Sequence, residues 1–246
     1  MEKVKISLVS YLNSRPFVYG LNHSNLINDI ILSLDYPALC AEKMISKSVD
    51  LGLVPVAMIP QIKNAAIVSD YCIGATGTVQ SVLLVSDVPL AEIKTVILDR
   101  ESRTSVLLAR LLAVEFWKIK PQWIPEAGEG FQKAKGNTAA VIIGDRALNE
   151  RSRFNYIYDL SEEWFKMTGL PFVFACWVAN KHLDRAFLVS FNAALKYGIS
   201  HIDDMAGNEL LSESEKNYLT RSIQYELNEN KRKGLELYLK LIRQFN

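Results

Sequence analysis

The sequence predicts an α/β protein with two lobes and a ligand cleft between them. Short apolar runs alternate with helical patterns along the chain, which favours parallel strands covered by helices on both faces. The first strand is expected at residues 4–9, and a fully apolar strand at residues 139–143. No internal repeat, low-complexity tract or linker interrupts the alternation.

Further strands and helices complete the predicted pattern. The remaining apolar runs predict strands at residues 30–34, 50–55, 81–86, 95–98 and 172–179. One helix begins at Pro37, another is capped by Ser102, and everything after Leu183 is expected to be helical. In that helical tail, Ser212 and Glu215 have the spacing of a capping box.

The order of these elements predicts one lobe interrupted by another. Lobe 1 is expected to comprise residues 1–85 and 175–246, including the helical tail, and lobe 2 residues 86–174. Ligands of such folds bind beyond the carboxyl ends of strands, where loops from both lobes meet. The residues that end strands are therefore the candidates for a site.

Composition and charge exclude several kinds of partner. Hydrophobic residues make up 49% and charged residues 22% of the 246, and the net charge is +1. A neutral chain has no field to attract nucleic acid or an anionic membrane. The run at residues 6–10 is too short and polar for a signal-peptide core, and no apolar run approaches the roughly 20 residues of a membrane span. We expect a cytoplasmic protein, either a monomer or a homodimer.

The three cysteines indicate no metal site. Cys40, Cys72 and Cys176 lie in largely apolar stretches without metal-ligand spacing. They are typical of buried thiols in a reducing compartment, and a catalytic thiol is disfavoured because apolar surroundings raise a thiol pKa.

The first candidate segment is residues 10–16, directly after the first strand. Ser10, Asn13, Ser14 and Arg15 combine hydroxyls, an amide and a guanidinium just before Pro16, which is placed to begin a helix. Free backbone N–H groups at a helix start, together with an arginine, form an anion site. Ordinary turn chemistry is the alternative, and the position at a strand end favours substrate binding.

The second candidate segment is the glycine-rich stretch at residues 74–81. Gly77 would let the backbone approach a ligand closely, and Ser81 can donate a hydrogen bond from the start of the next strand. Such stretches are usually only turns, so this signal is weak by itself.

The third candidate segment, residues 99–105, opens the long helix after the strand at 95–98. Its N-terminus offers unpaired N–H groups, a partial positive charge and a cluster of polar side chains. The side chains assigned to substrate binding are Ser102, Arg103, Thr104 and Ser105. An ordinary N-cap explains the first of these but not the density of the others, which favours a carboxylate or phosphate cradle.

The fourth candidate segment ends the most hydrophobic strand of lobe 2. Gly144 and Asp145 follow it directly, and the carboxylate is suited to orient a substrate hydroxyl or to act as a base. Arg146 could equally be a surface residue on the helix that follows.

The remaining sequence contains no established catalytic motif. His23, His182 and His201 lie outside all four segments, and no Ser-His-Asp order, metal-ligand spacing, Walker loop or dinucleotide fingerprint is present. We therefore expect mild chemistry that uses neither a metal nor a nucleotide, and no cofactor.

Five stretches together resemble the chorismate dehydratase family of the futalosine route to menaquinone. They are residues 10–17, 53–57, 99 with 102–105, 143–148, and 168–175 with Trp177. The resemblance runs nearly end to end and in the same order. It implies a type II periplasmic-binding-protein-like fold and a hydro-lyase, a lyase that cleaves a carbon–oxygen bond.

The reaction implied by the resemblance is loss of water from chorismate, which gives 3-[(1-carboxyvinyl)oxy]benzoate. Such a site must grip two carboxylates and stabilise developing negative charge. Asn13 and Ser81 are the expected catalytic groups, because each can hydrogen-bond to the substrate without becoming charged. Since no histidine base is evident, the enolpyruvyl carboxylate of the substrate is expected to take the proton.

Two other functions stay open. A 1,4-dihydroxy-6-naphthoate synthase of the same pathway would share the fold, but a histidine is expected there at the strand end that here carries Gly144 and Asp145. A non-catalytic cytoplasmic binding protein for a small carboxylate would share both the fold and the cleft, since fold alone does not determine function.

Overall fold

A computed structural model describes residues 3–100, 102–126, 129–207 and 210–245 of the chain. The strands are β1 (Val4–Val9), β2 (Ile30–Asp35), β3 (Leu51–Pro55), β4 (Ala66–Ala75), β5 (Val82–Ser86), β6 (Thr95–Asp99), β7 (Gln122–Glu126), β8 (Thr138–Ile143), β9 (Tyr156–Asp159), β10 (Phe172–Ala179) and β11 (Gln224–Glu226). The helices are α1 (Arg15–Asn22), α2 (Pro37–Ile45), α3 (Arg103–Leu112), α4 (Gly144–Glu150), α5 (Leu160–Thr168), α6 (Arg185–Ser200), α7 (Ile202–Gly207), α8 (Glu213–Asn217) and α9 (Glu229–Leu241). Within these ranges, no helix has both the length and the apolar character needed to cross a membrane.

The chain forms two compact units. The first comprises Met1–Gly74 and Val173–Glu229, and the second comprises Ala75–Phe172 and Asn230–Asn246. The crossings predicted from the sequence lie eleven and two residues later along the chain, and that prediction assigns the whole tail to the first lobe. The structure differs on both points. Ser81 accordingly belongs to the second unit, because the strand that follows it, β5, pairs with β8 and β9.

Helix α9 groups with the second unit because of its aromatic contacts. The Tyr238 ring packs edge-on against Phe172 and Trp164, with centroid distances of 4.9 and 6.0 Å. Its hydroxyl donates to the carbonyl oxygen of Thr104 at 2.8 Å. Such aromatic pairs contribute about 0.5–1.5 kcal/mol each beyond the area that they bury, which is enough to fix where a tail helix docks.

The first sheet has the strand order β11-β4-β10-β3-β1-β2. Strand β1 runs parallel to both β2 and β3, and β10 runs antiparallel to β3. Val9 lies opposite Asp35, so the carboxyl ends of β1 and β2 meet at one edge. The Ser10 N–H then donates to the Asp35 carbonyl oxygen at 2.9 Å, which fixes the start of the turn that follows β1. The prediction that everything after Leu183 is helical is wrong at β11, which pairs with β4.

The second sheet has the order β7-β6-β8-β5-β9. Strands β6, β7 and β8 are parallel, whereas β5 is antiparallel to both of its neighbours. Val82 lies opposite Ile143, and Leu83 lies opposite Asp159. The start of β5 therefore shares one sheet edge with the carboxyl ends of β6, β8 and β9.

Helix α1, which follows the first candidate turn, is held against α6 by two glycines. A Cβ atom at Gly20 would overlap the backbone of Ala194, and one at Gly198 would overlap the backbone of Pro16. The absence of side chains thus lets the two backbones touch. Beneath this contact, the Phe17 ring packs against Trp177 at a centroid distance of 5.6 Å. The start of α1 is therefore tied to the buried core of the first unit.

Candidate functional site

The residues predicted to form the site fall into both units. The first unit contains Ser10, Asn13, Ser14 and Arg15. The second unit contains Gly77, Ser81, Ser102, Arg103, Thr104, Ser105, Gly144 and Asp145. Each set stands where its sheet ends, because the parallel strands of each sheet finish at a common edge.

In the first unit, the turn after β1 is built by Ser14. Its buried hydroxyl donates to the carbonyl oxygen of Tyr11 at 2.7 Å and also to that of Val9. These bonds close the single 3-10 turn Leu12–Ser14, after which Pro16 occupies the first turn of α1. The Ser14 hydroxyl thus holds the turn. This is the role expected from ordinary turn chemistry, which was the alternative to substrate binding for this segment.

Asn13 sits at the centre of this turn. Its backbone carbonyl oxygen accepts a hydrogen bond from the hydroxyl of the buried Tyr225 at 3.0 Å. Its side-chain Oδ1 is buried and has no hydrogen-bond partner among the described residues. An unsatisfied buried acceptor costs about 1–3 kcal/mol, so a ligand that donated a hydrogen bond here would recover free energy.

Arg15 faces a different set of groups. Its guanidinium lies 3.4 Å from the Glu215 carboxylate and donates to the Leu210 carbonyl oxygen at 3.3 Å. With Ser10 and Ser14 it lines an open pocket of about 600 Å³ within the first unit. The structure therefore brings these three predicted residues together and gives the arginine an acidic partner, which competes with any anionic ligand for its charge.

In the second unit, the loop before β5 has a backbone shape that few residues adopt. Gly77 has φ +76° and Gln80 has φ +67°. A Cβ atom on Gly77 would meet nothing within 4 Å, so this glycine is required by its backbone angle and not by crowding. The Gln80 side-chain oxygen accepts from the Arg151 guanidinium at 2.9 Å, which helps to hold the loop.

Ser81 and Gly144 are joined at the edge of the second sheet. The Gly144 N–H donates to the Ser81 carbonyl oxygen at 2.8 Å. Ser81 is only 1% exposed, whereas Asp145, the next residue of α4, is exposed. Two of the predicted segments therefore meet through one backbone hydrogen bond.

The third predicted segment begins α3 as expected. The prediction that Ser102 is an N-cap is confirmed, because its side chain accepts from the Ser105 N–H at 3.3 Å. Thr104 and Ser105 are buried and Arg103 is exposed. Glu101, which belongs to the same segment, lies outside the described residues.

An ion pair links the third and fourth segments. The Arg146 guanidinium donates to the carboxylate of the buried Asp99 at 2.8 Å. Asp99 ends β6 and Arg146 lies in the first turn of α4, so the pair ties together the ends of two adjacent strands. The charges of these two side chains are therefore paired with each other.

Asp159 is a residue of this edge that sequence reasoning missed. It ends β9, and its Oδ2 accepts from the N–H groups of Val79 and Gln80 at 2.9 and 2.6 Å. Burial raises the pKa of its carboxyl to about 6, although four backbone N–H donors act in the opposite direction. The sequence around Asp159-Leu160-Ser161-Glu162 carries a helix N-cap signal that would have drawn attention to it.

Of the three histidines, His23 lines the same pocket as Ser10, Ser14 and Arg15. The Nδ1 atoms of His23 and His201 lie 2.8 and 2.7 Å from the carbonyl oxygens of Tyr19 and Tyr197, on helices α1 and α6. His182 is exposed. In the part of the chain that the structure describes, no group of three or more His, Cys, Asp or Glu side chains is arranged to hold a metal ion.

The raised pKa of Asp159 predicts a pH dependence of stability. Its carboxyl binds a proton more tightly in the folded protein than in the unfolded chain, where its pKa is near 3.8. This contribution to stability is therefore present below about pH 4 and is lost as the pH rises through about 6. Relative to Asp159→Asn, which does not titrate, the wild-type protein should lose on the order of 2 kcal/mol between about pH 4 and pH 7. Urea unfolding at a series of pH values measures this, and a difference that stays constant across the range contradicts it.

Solved structures share the fold of this chain. Protein AF1704 from Archaeoglobus fulgidus aligns with a TM-score of 0.75 at 13% identity, over 99% of this chain and 97% of that one. The periplasmic aliphatic sulphonate binding protein SsuA from Escherichia coli aligns with a TM-score of 0.62 at 17% identity, over 100% and 93%. The predicted periplasmic-binding-protein-like α/β fold is confirmed.

Sequence comparison relates the chain to menaquinone biosynthesis. A chorismate dehydratase from Thermus thermophilus is 26% identical over 79% of this chain and 82% of its own length. The family described as menaquinone biosynthesis matches residues 4–244, nearly the whole of the chain. The chain therefore belongs to the menaquinone biosynthesis family.

Proposed function

We propose that this protein is a chorismate dehydratase, a cytoplasmic hydro-lyase of the futalosine route that forms 3-[(1-carboxyvinyl)oxy]benzoate. Membership of the menaquinone biosynthesis family supports this proposal, and so does the similarity to the Thermus thermophilus enzyme. The observation in the structure that carries it furthest is the buried, unpaired Oδ1 of Asn13, which is suited to a substrate that donates a hydrogen bond.

The chemistry of chorismate matches this requirement. At neutral pH both carboxylates of chorismate only accept hydrogen bonds, so its ring hydroxyl is the one O–H donor that it brings to Asn13. This hydroxyl is also the group that leaves in the dehydration. An amide that receives its hydrogen bond would fix the orientation of the carbon–oxygen bond that breaks.

The reaction can proceed without a strong protein base. The ring proton at the carbon that bears the enolpyruvyl ether is acidic, because the carbanion delocalises through a double bond into the ring carboxylate. The proton passes to the enolpyruvyl carboxylate, the electron pair forms a ring double bond, and hydroxide leaves from the neighbouring carbon and takes up a proton as water. Formation of the aromatic ring drives the loss, so positioning is the main task left to the protein.

The second unit offers groups for the carboxylates of the substrate. The N-terminus of α3 carries a partial positive charge, with the hydroxyls of residues 102, 104 and 105 beside it. Ser81 borders the same sheet edge through its bond to Gly144. We assign Asn13 and Ser81 to direct contact with the reacting part of chorismate. Substrate binding is assigned to Ser10, Ser14, Arg15, Gly77, residues 102–105, Gly144 and Asp145. In this set the carboxylate of Asp145 would orient a substrate hydroxyl or act as a base.

Binding without catalysis is the competing proposal, and the shared fold with SsuA favours it. A binding protein for a small carboxylate needs the same anion contacts but forms no product. The naphthoate synthase alternative is disfavoured, because the strand end where a histidine is expected carries Gly144 and Asp145.

The purified protein should convert chorismate to an aromatic product. Incubation followed by mass spectrometry and ultraviolet absorbance should show loss of chorismate and appearance of 3-[(1-carboxyvinyl)oxy]benzoate. Chorismate should also raise the melting temperature, whereas its neutral dimethyl ester should not, because the contacts are to carboxylates. Stabilisation by chorismate without any product would support the binding protein and refute the dehydratase.

Asn13→Ala should lower turnover far more than stability. Removal of one positioned hydrogen-bonding group from a reacting centre typically costs about 10²–10³ in rate. The controls are His23→Gln, His182→Gln and His201→Gln, which should retain most of the wild-type rate of chorismate loss at matched folded concentration. If a histidine variant were inactive while Asn13→Ala kept a near wild-type rate, a protein base would remove the ring proton and this mechanism would be wrong.

A further inference from the structure

One buried carboxylate in the second unit holds two separate segments. The Asp159 Oδ1 accepts from the N–H groups of Ser161 and Glu162 at 3.1 and 3.2 Å and so caps α5. Its Oδ2 accepts from the N–H groups of Val79 and Gln80, which lie some 80 residues earlier in the chain. The side chain is thus divided between a helix and a loop, with one oxygen for each.

The loop held by Oδ2 has a conformation that requires external support. Gln80 is a non-glycine residue in the left-handed region, at φ +67°, a conformation that costs roughly 1–2 kcal/mol. Arg151 holds the side chain of Gln80, whereas the backbone N–H groups of two successive residues, Val79 and Gln80, donate to Asp159. The carboxylate therefore stabilises the backbone at the position where it is strained.

Ser81 directly follows Gln80, the residue with the strained backbone. It is 1% exposed, and its carbonyl oxygen is fixed on the other side by the Gly144 N–H. A change at Gln80 would reorient Ser81 while the β5 strand after it stayed in place. The geometry of Ser81 thus depends on a side chain that lies at the end of a different strand.

We propose that Asp159 is a positioning residue, which holds the loop at residues 79–80 in the shape that presents Ser81 to the substrate. This inference rests on the proposed function, in which Ser81 contacts chorismate. Asp159 itself acts through the loop. The competing explanation is that Asp159 only caps α5 and that its contact with the loop has no consequence for activity.

The substitution Asp159→Asn separates these two roles. Asparagine is a good N-cap, so its single oxygen can keep the contacts with Ser161 and Glu162. Its NH₂ group would then face the N–H groups of Val79 and Gln80, which would lose their acceptor. The helix cap is kept and the loop is released.

Asp184→Asn is the matched control. Asp184 caps α6 in the first unit through a hydrogen bond from the Ala186 N–H at 2.7 Å. Its substitution by asparagine removes one negative charge from a helix N-cap, as Asp159→Asn does. At matched folded concentration, Asp159→Asn should lower kcat for chorismate by about 10–100-fold, as displacement of a site by about 1 Å does. Asp184→Asn should leave kcat within about twofold of the wild-type value.

Amide hydrogen exchange tests the same inference without activity. In Asp159→Asn, exchange at Val79 and Gln80 should accelerate at least about tenfold, while exchange at Ser161 and Glu162 should stay near the wild-type rate. Unchanged kcat, or unchanged exchange at Val79 and Gln80, would overturn the proposal. If the wild-type protein does not consume chorismate, the proposed function fails, and the exchange rates alone decide whether Asp159 holds the loop.

Discussion

Parallel strand pairing determines where every candidate group stands. In the first unit, the register of β1 with β2 places Ser10 beside the end of β2, and the turn containing Asn13 follows. In the second unit, the pairing of β6 with β8 brings α3 and α4 to one edge. Each parallel strand must end where its neighbour ends, so polar residues scattered over the sequence converge at the edges of the sheets. Strand β5 is antiparallel to its neighbours and begins where they end, so Ser81, just before β5, lies at the same edge.

Most polar groups at these edges are satisfied within the protein. The hydroxyl of Ser14 closes a turn, and Asp99 pairs with Arg146. The Oδ1 of Asn13 differs, because it is buried and has no partner among the described residues. Such an acceptor costs about 1–3 kcal/mol, and binding a ligand that donates to it is one use for the group. In our account that use is the hydrogen bond from the leaving hydroxyl of chorismate.

The sequence predicts the parts of this arrangement that depend on local pattern. Strand β1, the N-cap Ser102 and the capping box at Ser212 are found as predicted, since each depends on neighbouring residues. The function of Asp159 could not be predicted in this way, because its partners Val79 and Gln80 lie some 80 residues away and donate through their backbone. The docking of the last helix likewise depends on contacts between distant aromatic rings.

The hydrogen bond between substrate and Asn13 is the central claim, and nuclear magnetic resonance can observe it directly. The side-chain amide signal of Asn13 is assigned by its loss from the spectrum of ¹⁵N-labelled Asn13→Asp. A saturating amount of a non-reactive chorismate analogue that retains the ring hydroxyl should shift this signal, because the bond polarises the amide. An analogue without the hydroxyl should produce a much smaller shift. An Asn13 amide signal that does not move while the analogue saturates the protein would contradict the account.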